Sequence, residues 1–126
     1  MEHDPSRRPR ETVELYTHLL YHEGRLEALD ALVSEPLLRR DPGGLVVLFR
    51  EDNRRRIEAV HARFAGVKFH NLLTLVDGEY VTAVYNAWLT GRDGLTQTLS
   101  GVDVFRVVDG LIVEVWGSET SEELWG

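Results

Sequence analysis

The chain has 126 residues, of which 43% are hydrophobic and 28% charged, values typical of one globular domain rather than of a disordered segment. It contains no cysteine, which excludes disulfides, thiol nucleophiles and cysteine metal ligands, and its net charge of -7 argues against a nucleic-acid-binding surface. No apolar run approaches the roughly 18–20 residues of a membrane span and no signal peptide is apparent. We therefore expect a cytoplasmic protein that binds neither nucleic acid nor membrane.

The N-terminal part of the chain predicts a flexible arm followed by helices. Residues 1–9 are polar and contain two prolines, so we expect an arm there and a single domain over residues 10–126. Apolar residues at helical spacing predict a first helix over 10–24, which Gly24 ends. The same spacing predicts a second, short helix over 25–33.

A third helix follows an extended segment. Pro36 prevents the second helix from continuing far, so the chain should run extended and turn at residues 41–44. The apolar run 45–49 fits either a short strand or the first turn of the next helix. Capping and apolar spacing predict that helix over 52–66, with the Arg54–Arg56 cluster on a solvated face.

From Val67 onward the chain is rich in β-branched and aromatic residues and is punctuated by Asp-Gly turn signals. We predict four antiparallel strands, near residues 67–76, 79–90, 95–108 and 111–118. Helices first and strands last indicate an α+β domain whose helices pack on one face of the sheet.

Asp103 is unusual because strands disfavour aspartate. Period-two alternation places it on one face with Phe105 and Val107, while Val102 and Val104 take the other face. The pattern alone leaves three roles open: capping a strand end, pairing with a cation, or chemistry in a pocket.

The end of the chain carries a motif, G-x-D-x-[FL]-R-x followed by D-G-x-I-x-E-x-W, over Gly101–Val107 and Asp109–Trp116. With the helices and strands of residues 11–118, it resembles the SnoaL-like (polyketide cyclase and ketosteroid isomerase-related) branch of the nuclear transport factor 2-like (NTF2-like) superfamily. The resemblance implies a cone: three N-terminal helices packed on a strongly curved antiparallel sheet around a central cavity. The chain departs from the branch at Gly117, where many members have Asp, and at Arg40-Asp41, which replace His and Asn.

The resemblance also implies a catalytic residue. Asp103 would point into the cavity and act as a general acid or base, without cofactor or metal, because burial among apolar groups keeps a carboxyl closer to neutral. His70 is its candidate partner, provided that it points inward. His18 and His22 have the spacing of two metal ligands, but no third ligand is evident and a Glu14–His18 pair on a solvated face explains them as well.

Bulky side chains of the helices and strands are the candidate walls of the pocket. Tyr16 lies on the apolar stripe of the first helix, and Arg40 could close the cavity mouth or lie at the surface. The candidate pocket residues are Tyr16, Arg40, Tyr85, Trp88, Phe105 and Trp116.

Two classes of function follow. The first is a cofactor-independent enzyme that cyclises or isomerises a small, largely apolar, polyketide-like metabolite through an enolate, or an epoxide hydrolase-like variant helped by Tyr85 and Asn86. The second is a binding or scaffold domain with the same cavity, which an Asp103–Arg pair or a filled cavity would favour. Val102, Val104 and Val108 would leave an apolar outer sheet face, so we expect a homodimer through that face.

Overall fold

A computed structural model describes residues 1–126. The helical elements are α1 (Pro9–Leu15), which continues as a π-helical segment (Tyr16–His22), a 3₁₀ turn (Leu26–Ala28) with α2 (Leu29–Leu32), and α3 (Arg50–Arg63). Gly24 follows the π-helical segment with a positive φ of 67°, as expected of a residue that ends a helix. The third helix begins earlier than predicted, at Arg50, because the backbone N–H of Phe49 donates to the carboxylate of Asp52 (3.1 Å).

The strands are β1 (Val33–Asp41), β2 (Gly44–Leu48), β3 (Phe64–Asp77), β4 (Tyr80–Gly91), β5 (Thr96–Val108) and β6 (Leu111–Gly117). They form one sheet in the order β2-β1-β6-β5-β4-β3. The four predicted strands are confirmed as β3 to β6, and the ambiguous run 45–49 is mostly β2.

The predicted antiparallel pairing is confirmed for β3 to β6, but the complete sheet also contains one parallel pair. β1 pairs with β2 in a hairpin and lies parallel to β6, where Arg39 is opposite Val115 and Arg40 opposite Trp116. The sheet is therefore six-stranded and mixed. The pairing of β1 with β6 joins segments more than seventy residues apart in sequence, so no local turn signal announces it. The expected strong curvature stays a prediction.

The helices cover one face of the sheet, as predicted for an α+β domain. Every second residue of β4 points toward them and is buried, and these residues are Val81, Ala83, Tyr85, Ala87 and Leu89. They contribute with α1 and α3 to a core that includes Val13, Ile57 and Phe105. None of the helices has the length and apolar character needed to cross a membrane.

The N-terminal segment is held against the domain by His3 and Arg7. Nε2 of His3 lies 2.6 Å from the carbonyl oxygen of Asp109. Arg7 is 7% exposed, and its guanidinium donates to the carbonyl oxygens of Ala31 (3.1 Å) and Gly110 (3.2 Å). These bonds connect the segment to α2 and to the β5–β6 turn. The flexibility of residues 1–9 as an arm stays a prediction.

Candidate functional site

A cavity of about 230 Å³ lies between the helices and the inner face of the sheet. Most of its lining residues are hydrophobic, and the charged side chains in its wall are Arg39, Arg56 and Asp103. A mainly apolar cavity with a few polar groups is the usual form of a small-molecule site.

Asp103 points into this cavity beside Phe105, which confirms the predicted face of β5. Its neighbours across the sheet are Ala83 on β4 and Gly117 on β6. No hydrogen bond or ion pair joins its carboxylate to another side chain, so the carboxylate is free to meet a ligand. Burial raises the pKa of Asp103 to about 6, with the positive charge of Arg39 opposing that rise.

Two charged residues of β1, Arg39 and Asp41, lie close to Asp103 of β5. The Nε atom of Arg39 lies 3.6 Å from Oδ1 of Asp41, so this arginine already has a carboxylate partner. A Cβ built on Gly117 would lie 3.0 Å from Oδ1 of Asp41 and 3.4 Å from Oδ1 of Asp103. The absence of a side chain at Gly117 therefore leaves room for two carboxylates and a guanidinium to meet at this end of the cavity.

A second polar group lies on the helical side of the cavity. The hydroxyl of Tyr16 is 3.3 Å from that of Tyr21, and Nη2 of Arg56 donates to the Tyr16 hydroxyl at 3.3 Å. Burial raises the pKa of Tyr16, and the neighbouring Tyr21 adds to the rise. Tyr16 is therefore a neutral phenol at physiological pH.

An aromatic series forms much of the remaining wall. Tyr21 meets Phe69 edge-on at 5.5 Å between ring centroids, and Phe69 meets Tyr85 at 5.4 Å. The backbone N–H of Phe69 donates to Nε2 of His22 (2.9 Å), which joins β3 to the π-helical segment. Burial, followed by the charge of Asp103, raises the pKa of Tyr85 to about 12, so its hydroxyl remains a donor.

Of the predicted pocket residues, Tyr16, Tyr85 and Phe105 line the cavity. Two strand residues expected at the site do not. His70 is exposed on the outer face, because its neighbour Phe69 takes the inward position on β3. The predicted pairing of His70 with Asp103 is therefore wrong, and Trp88 lies on the outer face for the same reason of parity on β4.

Arg40 and Trp116 are also outside the cavity. The Arg40 guanidinium binds the carboxylate of Glu114 and lies 5.9 Å from the centroid of the Trp116 ring. The inward positions belong to the preceding residues, Arg39 and Val115. On each of these two strands, the residue that faces the cavity is the one immediately before the predicted residue.

Two further predictions fail in the same region. Asn86, the expected helper of an epoxide hydrolase-like site, lies outside the cavity and bonds the backbone of Trp125. The expected Glu14–His18 pair is replaced by Arg10–Glu14 (2.9 Å) and by His18 with Glu23.

The sequence reasoning missed Arg39, Arg56, Asn71, Tyr21 and Phe69. Arg56 had a usable signal, since it stands one turn before Val60 on a helix stripe that faces the core. Tyr21 had none, because it is five residues after Tyr16. Only the wider π-helical turn brings residues at that spacing to one side.

The comparisons with known proteins agree with this architecture. The family model described as a SnoaL-like domain matches residues 13–115. A putative polyketide cyclase from Acidithiobacillus ferrooxidans has a TM-score of 0.80 at 20% identity, covering 92% of this chain and 89% of that one. IdmH, a putative polyketide cyclase from Streptomyces antibioticus, has a TM-score of 0.74 at 22% identity, covering 91% and 93% of the two chains.

The same fold carries other activities. An LEH-like epoxide hydrolase from M. tuberculosis has a TM-score of 0.75 at 18% identity, covering 87% of this chain and 80% of that one. At these identities the likeness shows the fold alone. Comparison with curated protein sequences finds no match. The fold is NTF2-like, and from the family match over residues 13–115 the chain belongs to the SnoaL-like domain family.

Proposed function

We propose that the protein is a cofactor-independent enzyme that cyclises or isomerises a small, largely apolar oxygenated metabolite, such as a polyketide, through an enolate. The observation that carries this proposal is the carboxylate of Asp103, unpaired in a mostly apolar cavity. Similarity to putative polyketide cyclases supports the substrate class. The expected cytoplasmic location is part of the same proposal.

Asp103 is the proton-transfer residue in this mechanism. With a pKa of about 6 it is mostly ionised at pH 7 and is a stronger base than an ordinary aspartate. It removes a proton from the carbon next to a carbonyl, and the electrons of the C–H bond pass into the enolate. The neutral hydroxyl of Tyr85 is a donor available to the enolate oxygen.

The enolate then has two outcomes. In an isomerisation, protonated Asp103 returns its proton to a different carbon of the conjugated system. In a cyclisation, the enolate carbon attacks a second carbonyl of the same molecule, a C–C bond forms, and the proton of Asp103 goes to the new alkoxide. Both outcomes leave Asp103 ionised for the next cycle, so no cofactor is consumed.

An Asp103–Arg pair or a filled cavity would favour a non-catalytic binding domain, and the structure has neither feature. Arg39 pairs with Asp41 rather than with Asp103, and the cavity between the helices and the sheet is not filled by side chains. One observation favours an epoxide hydrolase-like variant: Asn71 lines the cavity with Tyr85, so two polar side chains are available to hold a water. Hydration of styrene oxide to its diol tests that variant.

Deuterium exchange tests the proposed enolate chemistry. The probe is 2-tetralone, an apolar ketone whose α-hydrogens exchange with D2O when an enolate forms. We expect the wild-type protein to accelerate exchange, and Asp103→Asn to reduce the acceleration about 100-fold or more. Asp77→Asn, at the exposed β3–β4 turn, is the matched control and should keep it. Exchange that equals the buffer rate, or that survives in Asp103→Asn, contradicts the proposal.

A further inference from the structure

Arg56 contributes a positive charge to the cavity wall without a carboxylate partner. Two other arginines of α3 do have one: Arg50 pairs with Asp30 (3.0 Å) and Arg54 with Glu51 (3.7 Å). Arg56 instead donates to neutral oxygens, Oδ1 of Asn53 (3.0 Å from Nη2) and the hydroxyl of Tyr16 (3.3 Å). No ion pair of the structure includes it.

The hydrogen bonds of Arg56 leave one edge of its guanidinium unused. Nε and Nη2 donate to Asn53, and Nη2 also donates to Tyr16, whereas Nη1 has no partner within the protein. The hydrogen bond between the hydroxyls of Tyr16 and Tyr21 can run in either direction. With Tyr21 as the donor, the Tyr16 oxygen accepts from both Tyr21 and Arg56, and its own proton is available to a further acceptor. Nη1 of Arg56 and the hydroxyl of Tyr16 are therefore two donors in the cavity wall that can bind an oxygen atom of a ligand.

The contacts of Arg56 point to an anion, because no carboxylate touches its guanidinium. A partly buried guanidinium is costly unless a negative group compensates it, and it stays protonated at any physiological pH. Arg39 has Asp41 for this purpose. The charge of Arg56 reaches Asp103 and lowers its pKa, but the two side chains make no ion pair. A ligand that carries a permanent negative charge would satisfy Arg56 in the bound state, whereas a neutral carbonyl would not.

We propose that the substrate of this enzyme is a carboxylic acid, whose carboxylate is bound by Arg56 and the hydroxyl of Tyr16. The guanidinium supplies a charge-assisted hydrogen bond, which is roughly twice as strong as a neutral one. The apolar body of the substrate fills the aromatic part of the cavity, and its enolisable carbon faces Asp103. This inference deepens the proposed function and rests on it for the role of the enolisable carbon.

A pair of isosteric probes tests the carboxylate site by isothermal titration at pH 7.5. The probes are 2-naphthoate, an anion, and 2-naphthamide, its neutral counterpart. We expect 2-naphthoate to bind the wild-type protein about 10- to 100-fold more tightly than 2-naphthamide. Arg56→Gln should abolish that preference, whereas Arg56→Lys should retain part of it.

Arg55→Gln is the matched control, because Arg55 is an exposed neighbour on the same helix and has no ion pair. It removes the same charge outside the cavity and should keep the preference. Equal binding of the two probes by the wild-type protein overturns the inference even if Arg56→Gln does not fold. A preference that persists in folded Arg56→Gln overturns it too. Loss of deuterium exchange with an intact preference would refute the enolate chemistry and leave the carboxylate site standing.

Discussion

The carboxylate of Asp41 lies 3.0 Å from the position that a Cβ on Gly117 would occupy, and Oδ1 of Asp103 lies 3.4 Å from it, at van der Waals contact. The resemblance to the SnoaL-like branch implies an Asp at the position of Gly117. Here β1 supplies a carboxylate to the same place from the other side of the β1–β6 pair. Asp41 and Arg39 therefore act on Asp103 with opposite charges, in addition to the effects of burial and of Arg56 on its pKa.

Charge removal at these two residues should move the pKa of Asp103 in opposite directions. Asp41 raises that pKa and Arg39 lowers it, so Asp41→Asn should lower it and Arg39→Gln should raise it. We expect changes of about 0.5–1 pH unit, given the partial exposure of both side chains. Carboxyl-detected NMR titration measures them. Shifts of the same sign in the two variants would contradict this arrangement.

Asp103 should also make stability depend on pH. Its pKa is raised from 3.8 to about 6 on folding, so the folded protein loses stability as pH rises from about 4 to 7. The loss is at most about 3 kcal/mol and is absent below pH 4, where the group is protonated in both states. Asp103→Asn removes this loss.

Urea denaturation of both proteins at pH 4 and pH 7.5 measures the effect. The free energy of unfolding of Asp103→Asn should exceed that of the wild-type protein at pH 7.5 and approach it at pH 4. A difference between the two proteins that does not change with pH is inconsistent with a desolvated carboxylate.

Gly101 positions Tyr85 in the cavity wall. A Cβ on Gly101 would lie 2.7 Å from the Tyr85 hydroxyl oxygen and 3.0 Å from its Cζ, so the buried ring would have to move. Gly101→Ala should destabilise the protein by about 1–3 kcal/mol and weaken binding of 2-naphthoate. Gly66→Ala is the matched control, since its Cβ would meet Thr90 at an ordinary 3.6 Å. Equal unfolding free energies for the two variants would argue against this role of Gly101.

The outer face of the sheet is where we expect a second copy to bind. Leu73 and Leu75 are 48% and 55% exposed there, in the same sheet rows as Val84 and Thr82 of β4 and Val102 and Val104 of β5. A homodimer through this face remains a prediction, and sedimentation equilibrium should give twice the 14.4 kDa chain mass.

A charge on this face should separate the copies. Val104→Lys places an ammonium in the centre of the apolar surface and should yield a monomer. Leu95→Lys, 71% exposed at the β4–β5 turn, lies off the face and should remain dimeric. A wild-type protein that sediments as a monomer would refute the dimer.

Local signals were sufficient to predict the hairpins that β3 to β6 form. The Asp-Gly turns gave β3 to β6, and alternation along β5 placed Asp103 on the inner face. On β1, alternation does not determine which residues face inward, because the strand follows a helix and has a register shift between Val33 and Leu38. Alternation therefore did not identify Arg39 as the inward-facing arginine.

Other predictions were wrong where the assembled fold, rather than the local sequence pattern, decides which side chains face the cavity. His70 and Phe69 are adjacent on β3, and either could face inward until the sheet is assembled. Tyr21 reaches the cavity only through a π-helical turn, which no 3.6-residue periodicity reveals. Asp103 could thus be predicted from the sequence, whereas the proximity of Arg39 and Asp41 to it depends on the pairing of β1 with β6.

Measuring the pKa of Asp103 is the most direct test of its proposed role in proton transfer. Carboxyl-detected NMR titration, with Asp103→Asn to assign the signal, should give a value of about 6. That value would place the carboxylate in a desolvated cavity, ionised at neutral pH and basic enough to take a proton from carbon. A value at or below the ordinary 3.8 would show a solvated or cation-paired group, and would contradict the proton-transfer role.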